Sequence, residues 1–148
     1  MFNEHSIDID APAQLVWDVF SDVERWPEWT PSVTYLVGRD GPDLAIGKRF
    51  AIKQPGMTKL VWRVTEVTLG SSWTWVQRSP GVLVTARHDV IAKPDGRTLV
   101  RQQLDQRGLL GSPFGRLMDK KTKRFLELEA SGLKACAEQR SRADGSHS

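Results

Sequence analysis

The stretch SIDIDAPAQLVWDVFSDVERWPEWTPSV, residues 6 to 33, changes from a strand pattern to a helix pattern and is then broken by prolines. Side chains alternate up to Ile9, which is typical of a strand that ends there. Asp10 can cap a helix, and Pro12 suits a first helical turn. One apolar stripe follows, at Leu15, Val16, Val19 and Phe20. This spacing predicts a helix from about residue 12 to residue 20.

Two of the six tryptophans of the chain, Trp26 and Trp29, lie in the connection that follows this helix. Pro27 and Pro31 prevent helical continuation beyond a second short turn over the residues DVERW. A flexible linker would be polar, and a tight turn would use small residues. The connection is therefore expected to be a packed structure that closes over something.

The middle of the chain consists of β-rich segments that are separated by turn signals. Pro80-Gly81 and Pro94-Asp95-Gly96 are two of these signals. The predicted strands cover residues 33–38, 48–54, 60–67, 72–78, 82–93 and 97–108. Because the links between successive strands are short, the strands are expected to pair as an antiparallel meander.

The last part of the chain returns to helical spacing. Its apolar positions predict one helix of roughly 25 residues, or about 38 Å, after Pro113. Gly132 interrupts this helix and marks either a close approach of another segment or a slight bend. The polar tail, residues 140–148, is expected to be disordered, which leaves a single domain over residues 1–139.

In chain order, these elements predict an α+β fold with a strand, two short helices, six strands and a long helix. A seven-stranded antiparallel sheet has one face that must be covered. One long helix fills the concave side of a curved sheet poorly, and the two short helices would close one end. Such an architecture tends to keep a cavity between the sheet and the helix.

The composition argues against several classes of function. The net charge of +3, from 21 basic and 18 acidic residues, is small for a nucleic-acid-binding protein. The single cysteine, Cys136, cannot form an intrachain disulfide, and no histidine has a partner at metal-ligand spacing. No metal or cofactor is therefore expected.

No apolar segment is long enough to span a membrane, and the N-terminus lacks a signal-peptide pattern, so a cytoplasmic location is expected.

The opening stretch resembles the start of the START-like superfamily, also called SRPBCC or Bet v 1-like, and above all bacterial polyketide cyclase/dehydrase-type proteins. The family pattern "apxxvWdvfsDverWpeWxPxv" has counterparts here in Trp17, Asp22, Trp26, Trp29 and Pro31. The later segment GRTLVRQQLDQRG resembles a family strand, and the resemblance covers about residues 3 to 138. It implies a helix-grip fold with a cavity for a hydrophobic ligand. On this resemblance, Trp26 and Trp29 are either wedge residues of the core alone, or one of them also walls the pocket.

His88 is the most distinctive side chain of the expected cavity wall, because the rest of its strand face is apolar. It is either a satisfied core residue, a polar anchor for a ligand, or a general acid–base. The candidate ligand-binding residues are Trp26, Trp29, Trp62, Trp73, Trp75, Gln77, His88, Gln102 and Phe125. A mostly apolar wall with a few polar points is typical of a small-molecule site. Tryptophans can also fill a core that holds no ligand.

Charged residues fall into two groups. A basic cluster lies early in the long helix, at Lys120, Lys121, Lys123 and Arg124. It forms either a solvated helix face or a transient contact with an anionic membrane surface. The strand arginines fall on the side opposite to the wall residues, at Arg63, Arg78, Arg87 and Arg101, and are expected to face solvent. A different strand register would instead let an arginine anchor an acidic ligand.

Three functions fit these features. The favoured one is a carrier or sensor of a hydrophobic or aromatic small molecule, because it needs only a cavity and a few polar anchors. The second is a polyketide cyclase, aromatase or dehydratase with His88 as its acid–base, although no buried carboxylate partner is evident from the sequence. The third is a protein of the same fold that binds a partner through an exposed apolar patch.

Overall fold

The computed structural model describes residues 1–145, with the side chain of Ser112 excluded. The strands are β1 (Phe2–Ile9), β2 (Tyr35–Gly38), β3 (Arg49–Lys53), β4 (Leu60–Thr68), β5 (Ser72–Ser79), β6 (Val82–Ala92) and β7 (Thr98–Arg107). The helices are α1 (Ala13–Ser21), a 3₁₀ helix (Val23–Glu28), α2 (Gly111–Leu117) and α3 (Asp119–Gly145).

The seven strands form one curved antiparallel sheet in the order β1-β7-β6-β5-β4-β3-β2. The predicted α+β helix-grip fold and its meander are confirmed. β1 pairs with β7, so the first strand extends the meander beside the last strand. One irregularity, between Val64 and Glu66, shifts the register of β4 against β5. Irregularities of this kind bend a strand and add to the curvature of the sheet.

Helix α1 and the 3₁₀ helix close one end of the sheet. Contrary to the prediction, Asp10 does not cap α1, because the helix begins later, at Ala13, with Pro12 in the cap position. The indole Nε1 of Trp26 donates a hydrogen bond to the Phe20 carbonyl over 2.8 Å, and the two rings stack with centroids 5.5 Å apart. The proline-broken connection is therefore a packed structure, as the sequence indicates.

Helix α3 lies across the sheet and connects its two ends. In its C-terminal half, Lys134 Nζ donates to the Asp8 carbonyl over 3.0 Å. At its start, it contacts the loop between β3 and β4. A Cβ atom on Gly132 would lie 1.9 Å from the Trp29 carbonyl oxygen. Gly132 therefore marks a close approach between α3 and the segment after the 3₁₀ helix, one of the two alternatives that its position suggested.

The C-terminal region differs from the prediction in two ways. Two helices, α2 and α3, replace the single predicted helix and meet at Met118. They separate because α2 packs on β6 and β7, whereas α3 lies along β1. In addition, α3 continues to Gly145, so the predicted disorder is wrong for residues 140–145. The last turns of α3 share a shallow groove with Leu15 of α1, and this packing favours helix. Residues 146–148 lie outside the described range.

The apolar residues that α1 covers differ in exposure from two leucines at the other end of the sheet. Ile9, Phe20 and Trp73 are fully buried where α1 covers the sheet. At the other end, Leu109 and Leu117 are 93% and 82% exposed.

Within the described chain, no helix has both the length and the apolar character required to cross a lipid bilayer.

Candidate functional site

A cavity of about 400 Å³ lies between the sheet and the helices α2 and α3. Aromatic and aliphatic side chains form most of its walls. The sheet contributes Trp62, Trp75, Val84, Ala86 and Leu104, and the helices α2 and α3 with the residue between them contribute Phe114, Met118, Phe125 and Leu126. The loop between β3 and β4 forms part of the rim through residues 54 and 56–58. The cavity is thus a largely apolar space that the long helix does not fill.

Cross-strand pairing arranges the inward-facing residues of β5, β6 and β7 in three rows. From the end near α1 to the end near the β3–β4 loop, the rows are Trp73–His88–Gln102, Trp75–Ala86–Leu104 and Gln77–Val84–Gln106. Trp62 on β4 lies opposite Gln77 and extends the last row. The strand period of two keeps all of these residues on one face, as the sequence predicts.

The row nearest α1 is a packed aromatic cluster. Trp73 is fully buried and does not line the cavity. The imidazole of His88 stacks on the Trp73 indole, with centroids 4.1 Å apart and planes at 9°. Nδ1 of His88 lies 3.3 Å from the Trp73 carbonyl oxygen. Because a carbonyl oxygen only accepts hydrogen bonds, Nδ1 carries the imidazole proton.

The surroundings of His88 do not suit the predicted acid–base role. Burial lowers the pKa of His88 to about 3, and the hydrogen bond to the Trp73 carbonyl offsets only part of this change. The ring is therefore neutral near pH 7. A base with so low a pKa rarely holds a proton at neutral pH, so it cannot pass one on efficiently.

The cavity contains a buried carboxyl group, Glu129, which the sequence analysis missed. Glu129 is 8% exposed, and Gln102 Nε2 donates a hydrogen bond to its Oε2 over 2.7 Å. Burial raises the pKa of Glu129 to about 7, and hydrogen bonds from Gln102 and Ser32 offset part of the rise. A carboxyl group with a pKa near neutral pH is suited either to proton transfer or to hydrogen bonding in its neutral form.

The polar neighbours of Glu129 come partly from the opening stretch of the sequence. The hydroxyl oxygens of Thr30 and Ser32 lie 2.8 Å apart, and both residues are buried. Ser32 in turn hydrogen-bonds Glu129. Buried polar groups require partners of this kind. The connection after α1 therefore both packs two tryptophans and supports the carboxyl group at the inner end of the cavity.

The mouth of the cavity lies between the β3–β4 loop and the start of α3. Lys121 lines this mouth, and its Nζ donates to the Gly56 carbonyl over 3.2 Å. The same Nζ lies 6.0 Å from the centroid of the Phe125 ring. The other members of the predicted basic cluster, Lys120, Lys123 and Arg124, are exposed to solvent. The cluster is therefore divided between the cavity mouth and the outer surface.

All but two of the candidate ligand-binding residues line the cavity. Those that do are Trp26, Trp62, Trp75, Gln77, His88, Gln102 and Phe125. Trp73 belongs to the packed cluster, and Trp29 lies against Trp26 with ring centroids 5.5 Å apart, under Gly132. Trp73 is a core residue under α1, whereas Trp29 is partly buried and packs against the core under α3.

The outer face of the sheet carries the strand arginines, of which Arg63, Arg78 and Arg87 are exposed and Arg101 is half-buried. Arg87 and Arg101 both form ion pairs with Asp89. These ion pairs lie on the face of the sheet away from His88, since neighbouring residues of a strand point to opposite faces.

Within residues 1–145, no group of three or more His, Cys, Asp or Glu side chains is placed so that it could hold a metal ion.

The sequence model of a family described as polyketide cyclase / dehydrase and lipid transport matches residues 3–138. The fold is similar to that of the ZhuI aromatase/cyclase from Streptomyces sp. R1128, with a TM-score of 0.81 and 18% identity over 98% of both chains. A START superfamily protein from Mycobacterium smegmatis gives a TM-score of 0.72 at 18% identity, over 93% of this chain and 97% of that one.

A norcoclaurine synthase mutant from Thalictrum flavum is also similar, with a TM-score of 0.75 and 13% identity over 95% of each chain. At these identities, the likeness to the three structures establishes the fold alone. A search of curated proteins found no match.

Proposed function

The chain belongs to the polyketide cyclase/dehydrase and lipid transport family, and we propose that it binds a hydrophobic or aromatic small molecule in its cavity, as a carrier or sensor. The observation that carries this proposal is the space of about 400 Å³ between the sheet and α3, with mainly apolar walls and a few polar side chains. Small-molecule sites combine these two features, because apolar area supplies affinity and placed polar groups supply orientation.

Native mass spectrometry of the freshly purified protein tests this proposal. The expected result is a stoichiometric adduct that disappears on denaturation, followed by one apolar compound in the organic extract. A denatured spectrum of the same sample serves as the control, because it must give the mass of the chain alone. An empty protein that also fails to bind added lipids or aromatic compounds would contradict the proposal.

A second candidate function is an enzyme of the cyclase or dehydratase type, with Glu129 rather than His88 as its acid–base. It is favoured by one observation: the Glu129 carboxyl is buried beside the cavity, and its pKa of about 7 suits proton transfer near neutral pH. Glu129→Gln would then abolish turnover of a poly-β-keto substrate while substrate still binds. Full turnover by this variant would exclude the enzymatic role of Glu129.

Contact with an anionic membrane surface through Lys120, Lys121, Lys123 and Arg124 remains a prediction. Exposed leucines lie near this basic cluster, at Leu109, Leu110 and Leu117, and would add apolar contact. Co-sedimentation with anionic vesicles, weakened by salt, is the expected result. Concentration-dependent self-association on gel filtration would instead favour the partner-binding function. The cytoplasmic location also remains a prediction.

A further inference from the structure

Two ionisable side chains of helix α3 face the same cavity from different depths. Glu129 lies at the inner end, beside the Gln102 row, and Lys121 lies at the mouth. Eight residues of α-helix separate them, which corresponds to about 12 Å along the helix axis. The apolar wall between them includes Trp62, Trp75 and Phe125. The cavity is therefore apolar along its length and polar at both ends.

The inner end favours a hydroxyl group. The partners of Glu129 are the neutral side chains of Gln102 and Ser32, and no cation contributes to its pKa, which lies at about 7. Near neutral pH, this carboxyl group is present in both protonation states. The neutral form donates and accepts hydrogen bonds, whereas the ionised form only accepts them. A hydroxyl can pair with either form because it also donates and accepts, while an ammonium pairs well with the ionised form alone.

The mouth favours an anion. Lys121 Nζ uses one of its three N–H groups to donate a hydrogen bond to the Gly56 carbonyl. None of the ion pairs among residues 1–145 includes Lys121, whereas the nearby Lys123 is paired with Asp119 over 2.9 Å. An ammonium group with N–H donors still available at the rim of an apolar cavity can bind the carboxylate of an amphipathic ligand.

We propose that the cavity takes an elongated hydroxy acid, with its hydroxyl on Glu129 and Gln102 and its carboxylate on Lys121. The apolar body of the ligand lies along Trp62 and Trp75. This inference rests on the proposed function, since it names the ligand class of the same cavity. It excludes hydrocarbons and simple fatty acids as the best ligands, because they leave the inner polar groups without a partner.

Calorimetric titration with ω-hydroxylaurate, laurate and lauryl alcohol tests the inference, since these probes share a chain length and differ only in their end groups. The protein is expected to bind ω-hydroxylaurate about tenfold more tightly than either other probe, which is the effect of about one well-formed hydrogen bond or ion pair. In a cavity without a polar inner end, laurate would bind more tightly than ω-hydroxylaurate, because a buried unpaired hydroxyl is unfavourable.

Variants of Glu129 and Lys121 test which residue binds the hydroxyl and which binds the carboxylate of the ligand. Glu129→Leu is expected to reverse the preference for ω-hydroxylaurate over laurate, and Glu129→Gln to retain it, since an amide also donates and accepts. Lys121→Met is expected to weaken both carboxylates about tenfold and to leave lauryl alcohol unchanged. Lys120→Met, the solvent-exposed neighbour, is the matched control and should change none of the three affinities.

The outcomes separate this inference from the proposed function. If the wild type binds the probes in the cavity but does not prefer ω-hydroxylaurate, the ligand class is wrong and the binding function stands. If Lys121→Met binds laurate as tightly as Lys120→Met does, the assignment of the mouth is overturned, whether or not Glu129→Leu folds. If no probe binds and native mass spectrometry finds no adduct, the binding function itself fails.

Discussion

The two ends of the inner sheet face are built from the same strands but serve different purposes. Near α1, the Trp73 and His88 rings pack against each other and against Phe20. Near the β3–β4 loop, Trp62 and Gln77 face open space. Both ends combine inward-facing tryptophan and polar side chains, so the difference comes from what covers the sheet. Side chains of α1 and the 3₁₀ helix fill one end, whereas α2 and α3 leave the other end hollow.

The row nearest α1 holds His88 and Gln102, and Gln102 hydrogen-bonds Glu129 of α3. Burial moves the pKa values of His88 and Glu129 in opposite directions. The pKa of His88 falls to about 3, and the pKa of Glu129 rises to about 7. The cause is the same, because burial disfavours the charged form of each group. For His88 the result is a neutral ring in an aromatic stack, and for Glu129 it is a carboxyl group, at the inner end of the cavity, that changes charge near neutral pH.

The largest expected effect concerns His88 and acid. Its folded pKa of about 3 lies below the unfolded value of 6.5, so the unfolded chain binds the extra proton between these pH values. The free energy of unfolding therefore rises with pH in this window, by up to about 5 kcal/mol from this group. Urea unfolding of His88→Phe should lack that part of the pH dependence. A variant that loses as much stability in acid as the wild type would contradict the burial of a neutral His88.

The next effect compares tryptophans from the two ends. Trp73→Ala removes a fully buried ring and should lower the free energy of unfolding by about 4 kcal/mol. Trp62→Ala removes a ring that already borders open space, so a loss of about 1–2 kcal/mol is expected. Urea unfolding at pH 7 measures both. Equal losses of unfolding free energy in the two variants would mean that the two ends are packed to the same density, which would contradict the difference described above.

Glu129 should give a smaller effect of the opposite sign to that of His88. Its folded pKa of about 7 lies above the unfolded value of 4.5, so the folded chain binds the extra proton in this window. Stability should therefore fall as pH rises from about 4.5 to about 7, by about 3 kcal/mol from this group. Glu129→Gln should remove this fall. If the variant and the wild type keep a constant stability difference across the window, Glu129 does not have the raised pKa.

The smallest effect tests the contact that closes the packed end. Gly→Ala inside a helix usually stabilises a protein by up to about 1 kcal/mol. At Gly132 the new Cβ would collide with the Trp29 carbonyl, so a loss of about 2 kcal/mol is expected instead. Ser131→Ala, at an exposed neighbouring position, serves as the control and should change stability by less than about 0.5 kcal/mol. A stabilised Gly132→Ala variant would show that α3 does not approach Trp29 closely.

The sequence predicts the fold well because its signals are local. Alternation, turn residues and the apolar stripe of α1 each specify one element, and the short links specify the meander. The C-terminal region is predicted less well, because the break at Met118 and the extension of α3 to Gly145 depend on contacts with distant strands and with α1. Local propensity does not contain those contacts.

The site is only partly predictable for a related reason. Strand alternation places Trp73 and Trp75 on one face, but it cannot tell that α1 covers the first and a cavity borders the second. Glu129 was missed because a glutamate on a helix usually faces solvent. Its spacing from Phe125 and Leu133, four residues on each side, places it on the apolar face and is the signal that could have identified it.

The most direct test of the account asks whether ligand binding requires the open end of the sheet. Ala86→Trp adds a large ring in the middle row of the cavity wall, and Thr85→Trp adds the same ring on the other face of β6. Binding of the apolar dye anilinonaphthalene sulfonate to the folded proteins is measured by fluorescence. The account predicts one dye per chain for the wild type and Thr85→Trp, and at least a tenfold loss of affinity for Ala86→Trp. Equal binding by a folded Ala86→Trp variant would show that the cavity is not the ligand site.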